Sequence, residues 1–175
     1  TDTGMFGFYI YNNVGIAFRC FATGMLFGLG SAYFLVYNGF AIGAVLGFVI
    51  SAGHGNNILT FICGHGPFEL TAIVISGAAG LRLGHALIET KGRTRLGSVR
   101  AITGDLVTLV LGAGAMLVIA AILEGYWSPS GLAPPIKWSV GLGFSVLVTL
   151  WLGFAGRTRS PVTTTLASTV TSVPQ

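Results

Sequence analysis

Long apolar runs follow one another along most of this chain and leave little room for charge. Of the 175 residues, 53% are hydrophobic and only 8% are charged, whereas soluble domains carry roughly 25% charged residues. A soluble domain of this length could not bury so much apolar surface. The runs also lack the in-and-out alternation that a membrane β-barrel requires. The sequence therefore predicts an all-α polytopic membrane protein.

Turn signals and glycine-rich breaks divide the apolar runs into about five predicted spanning helices. About 20 apolar residues are needed to cross ~30 Å of hydrocarbon. An aromatic and partly polar segment at 1–13 is typical of a short helix lying at the membrane interface. The predicted spans then cover 14–37, 40–63, 67–88, 105–123 and 137–154. We predict one transmembrane domain over 1–157 and a disordered, Thr/Ser-rich tail over 158–175.

The second predicted span is interrupted. Its first part ends at a glycine-rich break between Gly53 and Asn57, and an apolar piece of about six residues follows before His65. So short a piece cannot cross a bilayer by itself. It either completes a broken helix or forms a re-entrant element buried in protein. In both cases we expect His54 and His65 to lie near one another at the outer side.

Glycines recur at helix-packing spacing in several predicted spans. Small residues at four-residue intervals let a neighbouring backbone approach closely, which is a general feature of membrane helices. The pattern therefore predicts tight helix packing and no particular ligand. The glycines predicted to pack are Gly24, Gly28, Gly39, Gly43, Gly47, Gly77, Gly80 and Gly84.

A histidine and a carboxylate, His65 and Glu69, stand four residues apart at the start of the third span. Ionisable groups inside an apolar run are costly in lipid and are functional candidates by default. The candidate intramembrane polar site is thus His54, His65 and Glu69. Glu69 could instead cap its helix, since a carboxylate in the first turn can accept from free amides. The sequence leaves both interpretations open.

The sequence contains no clear pattern of metal ligands. A zinc site at His65 and Glu69 would need a third ligand, from His54 or Glu124, and no metal-ligand spacing in the sequence indicates one. Walker loops, dinucleotide fingerprints and nucleophile elbows are also missing from the sequence. We therefore expect no metal, no cofactor and no enzymatic activity.

Cations beside the apolar segments predict the orientation in the membrane. The loop at 91–100 carries four cations and the stretch at 157–159 carries two, so both are expected on the cytoplasmic side. Arg82 and His85 are predicted to contact the cytoplasmic interface or lipid phosphates, with His85 four residues from Glu89. Because the cations flank apolar runs, nucleic acid is not an expected partner.

Several sequence blocks together resemble the stage II sporulation protein M family of integral membrane proteins. The most specific block is GHGPFELTAI at 64–73, continued by GAAGLRLG at 77–84. Other blocks are YIYNN at 9–13, FGLG at 27–30, YNG at 37–39, IGA at 42–44 and AAILEGYWS at 120–128. The resemblance runs in order over about residues 5–157.

The resemblance implies a membrane scaffold, which in spore formers recruits peptidoglycan-degrading enzymes. We accordingly expect a multi-pass protein of a prokaryotic cell membrane that contacts lipids and other membrane proteins and forms homo-oligomers. Family members usually carry one more spanning helix upstream, which agrees with the outward start that the cations predict for residue 1. The alternative function is a transport or channel component with a polar path at His65 and Glu69.

Overall fold

A computed structural model describes residues 2–154, and it describes their side chains from residue 4 onward. The predicted tail at 158–175 and the cations at 157–159 lie outside the described residues. Within the described part the chain forms helices and no strand. Five helices are long and one is short: α1 Asp2–Ala22, α2 Leu29–Val49, α3 Gly55–Ile62, α4 Gly66–Ile88, α5 Arg95–Ile122 and α6 Pro134–Phe154. The predicted all-α bundle is confirmed.

Four segments among the described residues are long and apolar enough to cross a membrane. They are Leu29–Ile62, Gly66–Ile88, Arg95–Trp127 and Pro134–Phe154. The helix α1 is a fifth long helix beside them but is less apolar, because it carries Asn12, Asn13 and Arg19. Five long helices agree with the predicted bundle of about five helices. The predicted number of five spans is not reached among the described residues, where four segments qualify, and the first third of the chain is divided differently.

The predicted first span at 14–37 is wrong in its boundaries. The segment from Asp2 to Asn13 is not a separate interfacial helix, because α1 continues without a break to Ala22. The chain then turns, and Phe27 and Gly28 adopt positive φ angles of 54° and 85° before α2 begins. The turn expected at Asn38-Gly39 lies instead inside α2. There the Asn38 side chain donates to the carbonyl of Phe34 at 2.6 Å, so the amide is satisfied within the helix.

The predicted interruption of the second segment is confirmed. Gly53 has a left-handed conformation (φ 86°, ψ 3°) between α2 and α3, a conformation that glycine adopts without steric cost. A straight helix would hold Ile42 and Ile58 about 24 Å apart. These two residues instead line the same cavity, so the bend at Gly53 turns α3 back toward the last turns of α2.

The helix α4 lies at the centre of the bundle and packs most extensively against α5 and α1. One core cluster joins Phe68 and Ala72 of α4 to Ala113 and Leu117 of α5 and to Ala17 of α1. A second cluster lies further along α4 and contains Ala79, Leu83 and Leu106. Alanines at these contacts let the helix axes approach closely.

The turn between α1 and α2 packs closely against glycines of α4. A Cβ at Gly80 would clash with the hydroxyl of Ser31 and the carbonyl of Cys20, and one at Gly84 would clash with the backbone of Gly28. A Cβ at Gly24 would meet the backbone of Gly80, and one at Gly77 would meet Leu35. These glycines therefore lie at tight contacts, although Gly24 is in the single 3-10 turn Thr23–Met25 and Gly28 directly precedes α2, so neither lies within an α-helix.

The remaining predicted packing glycines, Gly39, Gly43 and Gly47, have no packing partner among the described residues. All three are exposed on α2, and a Cβ at any of them would meet nothing within 4 Å. The expectation of tight packing is not met within this chain, because α2 presents its other face to α4.

Two helices begin earlier than predicted. The helix α5 starts at Arg95 and not near Asp105, since Thr94 caps it by accepting from the amide of Gly97 at 3.1 Å. The helix α6 starts at Pro134 rather than Lys137. Helices α1, α4 and α6 run in one direction and α2 and α5 in the other. The bundle therefore has a His65 end, where α4 starts, and an Arg82 end, where α4 finishes.

Candidate functional site

Three ionisable side chains meet at the His65 end of the bundle. His65 precedes the first residue of α4, and Glu69 lies in the first turn of that helix. Glu124 lies in the wide turn Leu123–Trp127 that follows α5. Because α4 and α5 pack antiparallel, the end of α5 lies beside the start of α4. The fold thus adds to the predicted pair a carboxylate that is distant in the sequence.

The three groups converge closely. The Nε2 atom of His65 lies 3.8 Å from Oε2 of Glu69 and 4.0 Å from Oε1 of Glu124. One potential ligand atom from each residue lies within 4.8 Å of the other two. The side chains are only 4%, 18% and 13% exposed for His65, Glu69 and Glu124 respectively. Two carboxylates and an imidazole therefore share a site that is largely closed to solvent.

The His65 ring is oriented by neighbours that sequence reasoning did not identify. Its Nδ1 atom lies 3.1 Å from the hydroxyl of Ser128, a contact buried in the bundle. The ring of Phe61 packs edge-on at 5.5 Å between centroids. Burial lowers the pKa of His65 to about 4, so the imidazole is neutral at pH 7. In the tautomer that donates Nδ1–H to Ser128, the lone pair of Nε2 faces the two carboxylates.

A buried lysine holds the turn that carries Ser128. The Nζ atom of Lys137 donates to the carbonyls of Ser128 at 2.6 Å and Ser130 at 2.8 Å. Only 7% of Lys137 is exposed. Carbonyls at the end of a helix carry partial negative charge, which a cation stabilises. The lysine therefore fixes the segment that orients the histidine.

The helix α1 contributes Asn13 to the same region. Asn13 is only 2% exposed and lies beside Glu124. Its Oδ1 accepts from Asn12 at 3.0 Å. Its Nδ2 interacts with the Glu124 carboxylate, but among the described residues neither Nδ2 nor Oε2 of Glu124 has a hydrogen bond of good geometry. Buried polar atoms without partners are rare in folded proteins. Two such atoms side by side make this cluster a candidate ligand site.

The structure favours the paired site over the cap. Among the described residues the Glu69 carboxylate is directed toward His65 and Glu124 and accepts no hydrogen bond from an amide of its own helix. The backbone carbonyl of His65 instead accepts from the amides of Phe68 and Glu69 at 3.0 and 3.1 Å. Helix capping therefore does not account for the position of Glu69.

His54 does not join the cluster. It lies at the bend between α2 and α3 and is exposed, and it is not among the residues whose ligand atoms converge. The reason is the short helix α3, which separates His54 from the turn that carries His65. The predicted grouping of His54, His65 and Glu69 is thus replaced by His65, Glu69 and Glu124.

At the Arg82 end of the bundle, the two predicted interface residues form ion pairs. Arg82 pairs with Asp105 across α4 and α5, and His85 Nε2 lies 2.8 Å from Glu89 Oε2, as the i,i+4 spacing predicts. All four side chains are about half exposed or more. Asp105 lies well inside α5 and so does not act at a helix start. Contact of Arg82 and His85 with lipid stays a prediction.

A cavity of about 420 Å³ opens onto the cluster between α2, α3 and α4. His65, Glu69 and Glu124 line it together with Asn38, and its other walls are apolar. The cluster can therefore be reached from one side of the bundle by a small ion or a polar group.

Two of the site residues that sequence reasoning did not identify, Asn13 and Ser128, could have been found from the sequence. Asn13 and Ser128 stand in the blocks YIYNN and AAILEGYWS, which carry part of the family resemblance. A polar residue inside a block that carries the resemblance is a candidate for a site. Lys137 had no comparable signal, because a lysine at a helix start ordinarily faces water.

Comparisons with known proteins agree with the resemblance. The sequence profile of a family described as Stage II sporulation protein M matches residues 1–129. An uncharacterised protein of Methanocaldococcus jannaschii is 29% identical over 123 residues, which is 67% of this chain and 67% of that protein. No solved structure matches the chain.

Proposed function

The chain belongs to the stage II sporulation protein M family, and from this premise we propose that it is a non-enzymatic membrane scaffold. In this role the helical bundle sits in the prokaryotic cell membrane and holds partner proteins by its exposed helix faces. The partners are other membrane proteins, including enzymes that remodel the cell envelope, as the family resemblance implies.

The observation that carries the proposal is the exposed glycine ridge of α2, formed by Gly39, Gly43 and Gly47. On α4, the space beside glycines at the same spacing, such as Gly80 and Gly84, is occupied by the turn that joins α1 and α2 and by the residues next to it. The ridge on α2 faces open space. A ridge of this kind lets a second helix approach closely by van der Waals packing. It is therefore available to a helix of another membrane protein.

The rest of α2 suits such a docking face. The helix Leu29–Val49 contains no charged residue, so a partner helix needs no compensating charge. Exposed aromatic residues flank the ridge: Phe40 is 78% exposed and Phe48 is 75% exposed. Large side chains beside a glycine groove provide contact area for a partner helix.

The experiment is affinity purification in mild detergent after brief cross-linking, with co-purifying proteins identified by mass spectrometry. We expect Gly43→Leu to fold, because a side chain there meets nothing in the bundle, and to lose its partners. Gly143→Leu on α6 is the matched control, since Gly143 is also exposed and also faces open space. An unchanged set of partners in Gly43→Leu would contradict the proposal.

A second tag tests whether the partner is another copy of the chain. Differently tagged copies are co-expressed, and one tag is used to purify the complex. Co-purification that disappears in Gly43→Leu would assign the ridge to a homo-oligomer. Co-purification that persists, together with loss of other proteins, would assign it to a different partner.

The buried cluster is the specific observation that favours the alternative function, a transport or channel component. A polar path would have to continue from His65 and Glu69 toward the Arg82 end. In the described residues, the α4–α5 interface beyond Phe68 is instead closed by apolar side chains such as Ala72, Leu83 and Leu106. This supports the scaffold over the transporter. Cation-dependent flux into proteoliposomes containing the purified protein would instead support the transport function.

A further inference from the structure

We propose that His65, Glu69 and Glu124 bind a divalent transition-metal ion of the class of Zn²⁺, Mn²⁺ and Fe²⁺. The ion would lie at the His65 end of the bundle and join the start of α4 to the turn after α5. This inference does not depend on the scaffold proposal.

The geometry of the three ligand atoms fits one ion. Nε2 of His65 lies 3.8 and 4.0 Å from the two carboxylate oxygens, and all three atoms lie within 4.8 Å of one another. Such a triangle has a point about 2.5 Å from each atom, and zinc bonds to nitrogen and oxygen are roughly 2.0–2.2 Å long. Closing the difference requires side-chain shifts of only a few tenths of an ångström.

The donor set indicates the class of metal. One imidazole and two carboxylates suit Zn²⁺, Mn²⁺ and Fe²⁺, whereas Mg²⁺ and Ca²⁺ favour sites built only from oxygen. Two carboxylates also balance the charge of a divalent ion. A net charge close to zero matters here, because an unbalanced charge inside a bundle of membrane helices is costly.

The surroundings of His65 are those expected for a metal ligand. Metal-bound histidines usually hydrogen-bond through the ring nitrogen that does not face the metal. Here Ser128 holds Nδ1 at 3.1 Å and leaves Nε2 directed toward Glu69 and Glu124. Lys137 in turn fixes Ser128 through its backbone carbonyl. The ring is therefore oriented before any ion binds.

Poorly satisfied buried polar atoms beside the cluster also favour a ligand at this place. Asn13 is only 2% exposed, and its Nδ2 interacts with the Glu124 carboxylate without reaching the geometry of a full hydrogen bond to any described residue. Oε2 of the neighbouring Glu124 is also enclosed and without a partner. Unpaired buried groups cost free energy unless something binds them. A water bound to the metal would accept from Nδ2 of Asn13 and donate to Oε2 of Glu124, which would satisfy both atoms.

The experiment measures metal directly. The full chain is purified in detergent without a polyhistidine tag, depleted with a chelator, and reloaded separately with Zn²⁺, Mn²⁺, Fe²⁺, Mg²⁺ or Ca²⁺. Elemental analysis after desalting is expected to find about one transition-metal ion per chain and no retained Mg²⁺ or Ca²⁺. Thermal unfolding should shift upward with the retained metal only.

Variants identify the ligands. Glu124→Gln and Glu69→Gln keep the side-chain shape and are expected to weaken binding at least tenfold, and Ser128→Ala by about 10–100-fold. Glu89→Gln and His85→Ala, at the exposed pair on the opposite end, are the matched controls and should bind as the unchanged protein does.

Two results would overturn the proposal. One is the absence of stoichiometric binding for all three transition metals by folded protein. The other is undiminished binding in the double variant Glu69→Gln/Glu124→Gln, which would place the metal elsewhere. The isosteric variants keep the test valid even if His65→Ala fails to fold.

Discussion

The Nε2 atom of His65 lies 4.0 Å from Oε1 of Glu124, so the start of α4 and the end of α5 share one buried polar site. The two helices reach this arrangement through the alanine-rich contact of Ala72 and Ala113 further along their lengths. The site is therefore held in place by apolar helix packing as well as by its own polar contacts.

Gly80 of the central helix is expected to tolerate no larger residue. A Cβ at this position would clash with the Ser31 hydroxyl and with the carbonyls of Cys20 and Phe21. We expect Gly80→Val to lower the free energy of unfolding in detergent by about 3 kcal/mol, because two of the neighbouring atoms are backbone carbonyl oxygens, which cannot move independently. Gly143→Val on α6 is the control and should change stability little. Equal stability of the two variants would contradict the packing described here.

Gly53 is expected to be required for the bend between α2 and α3. Its φ of 86° lies in the left-handed region, where an alanine costs roughly 1–2 kcal/mol. Gly53→Ala should therefore destabilise the protein by about that amount in thermal unfolding. The control is Gly47→Ala in the regular part of α2, where alanine is favoured over glycine by up to about 1 kcal/mol. Stabilisation of the protein by both substitutions would mean that the bend is not left-handed at Gly53.

Lys137 is expected to support the His65 site from a distance. Replacing it with methionine removes two hydrogen bonds from a buried cation to the carbonyls of Ser128 and Ser130. Hydrogen bonds to charged groups contribute about 1.5–3 kcal/mol, so Lys137→Met should be clearly less stable than the unchanged protein. Lys91→Met, at an exposed lysine, provides the comparison. Chemical denaturation curves with coincident midpoints would rule out this role for Lys137.

The distribution of cations predicts the topology. Arg19 lies in the last turn of α1, so it belongs to the Arg82 end together with Lys91, Arg93 and Arg95. This concentration of cations predicts that the Arg82 end faces the cytoplasm. A cysteine introduced at Lys91 should resist a membrane-impermeant thiol reagent in intact cells, whereas one at Ser130 should react. The opposite labelling pattern would invert the proposed orientation.

Local features of the sequence determined the helical class and several boundaries. Apolar runs with few charges can satisfy their backbone in lipid only as helices, which is why the bundle was predictable. Pro67 marks the start of α4 and Gly53 the bend after α2, because each residue restricts or frees its own backbone dihedrals. The turn expected at Asn38 failed because a side chain can also satisfy its polar group inside a helix, as Asn38 does with Phe34.

Tertiary structure alone decided which residues meet. Glycines four residues apart occur on both α2 and α4. Other parts of the chain occupy the space beside Gly80, whereas the space beside Gly43 is empty. The difference depends on where the neighbouring helices lie. Likewise, no local pattern connects His65 to Glu124 or to Ser128. Their proximity follows from the antiparallel packing of α4 and α5, a relationship between distant parts of the chain. The sequence by itself indicated the polar residue types and their cost in lipid, and the fold selected the three that form a site.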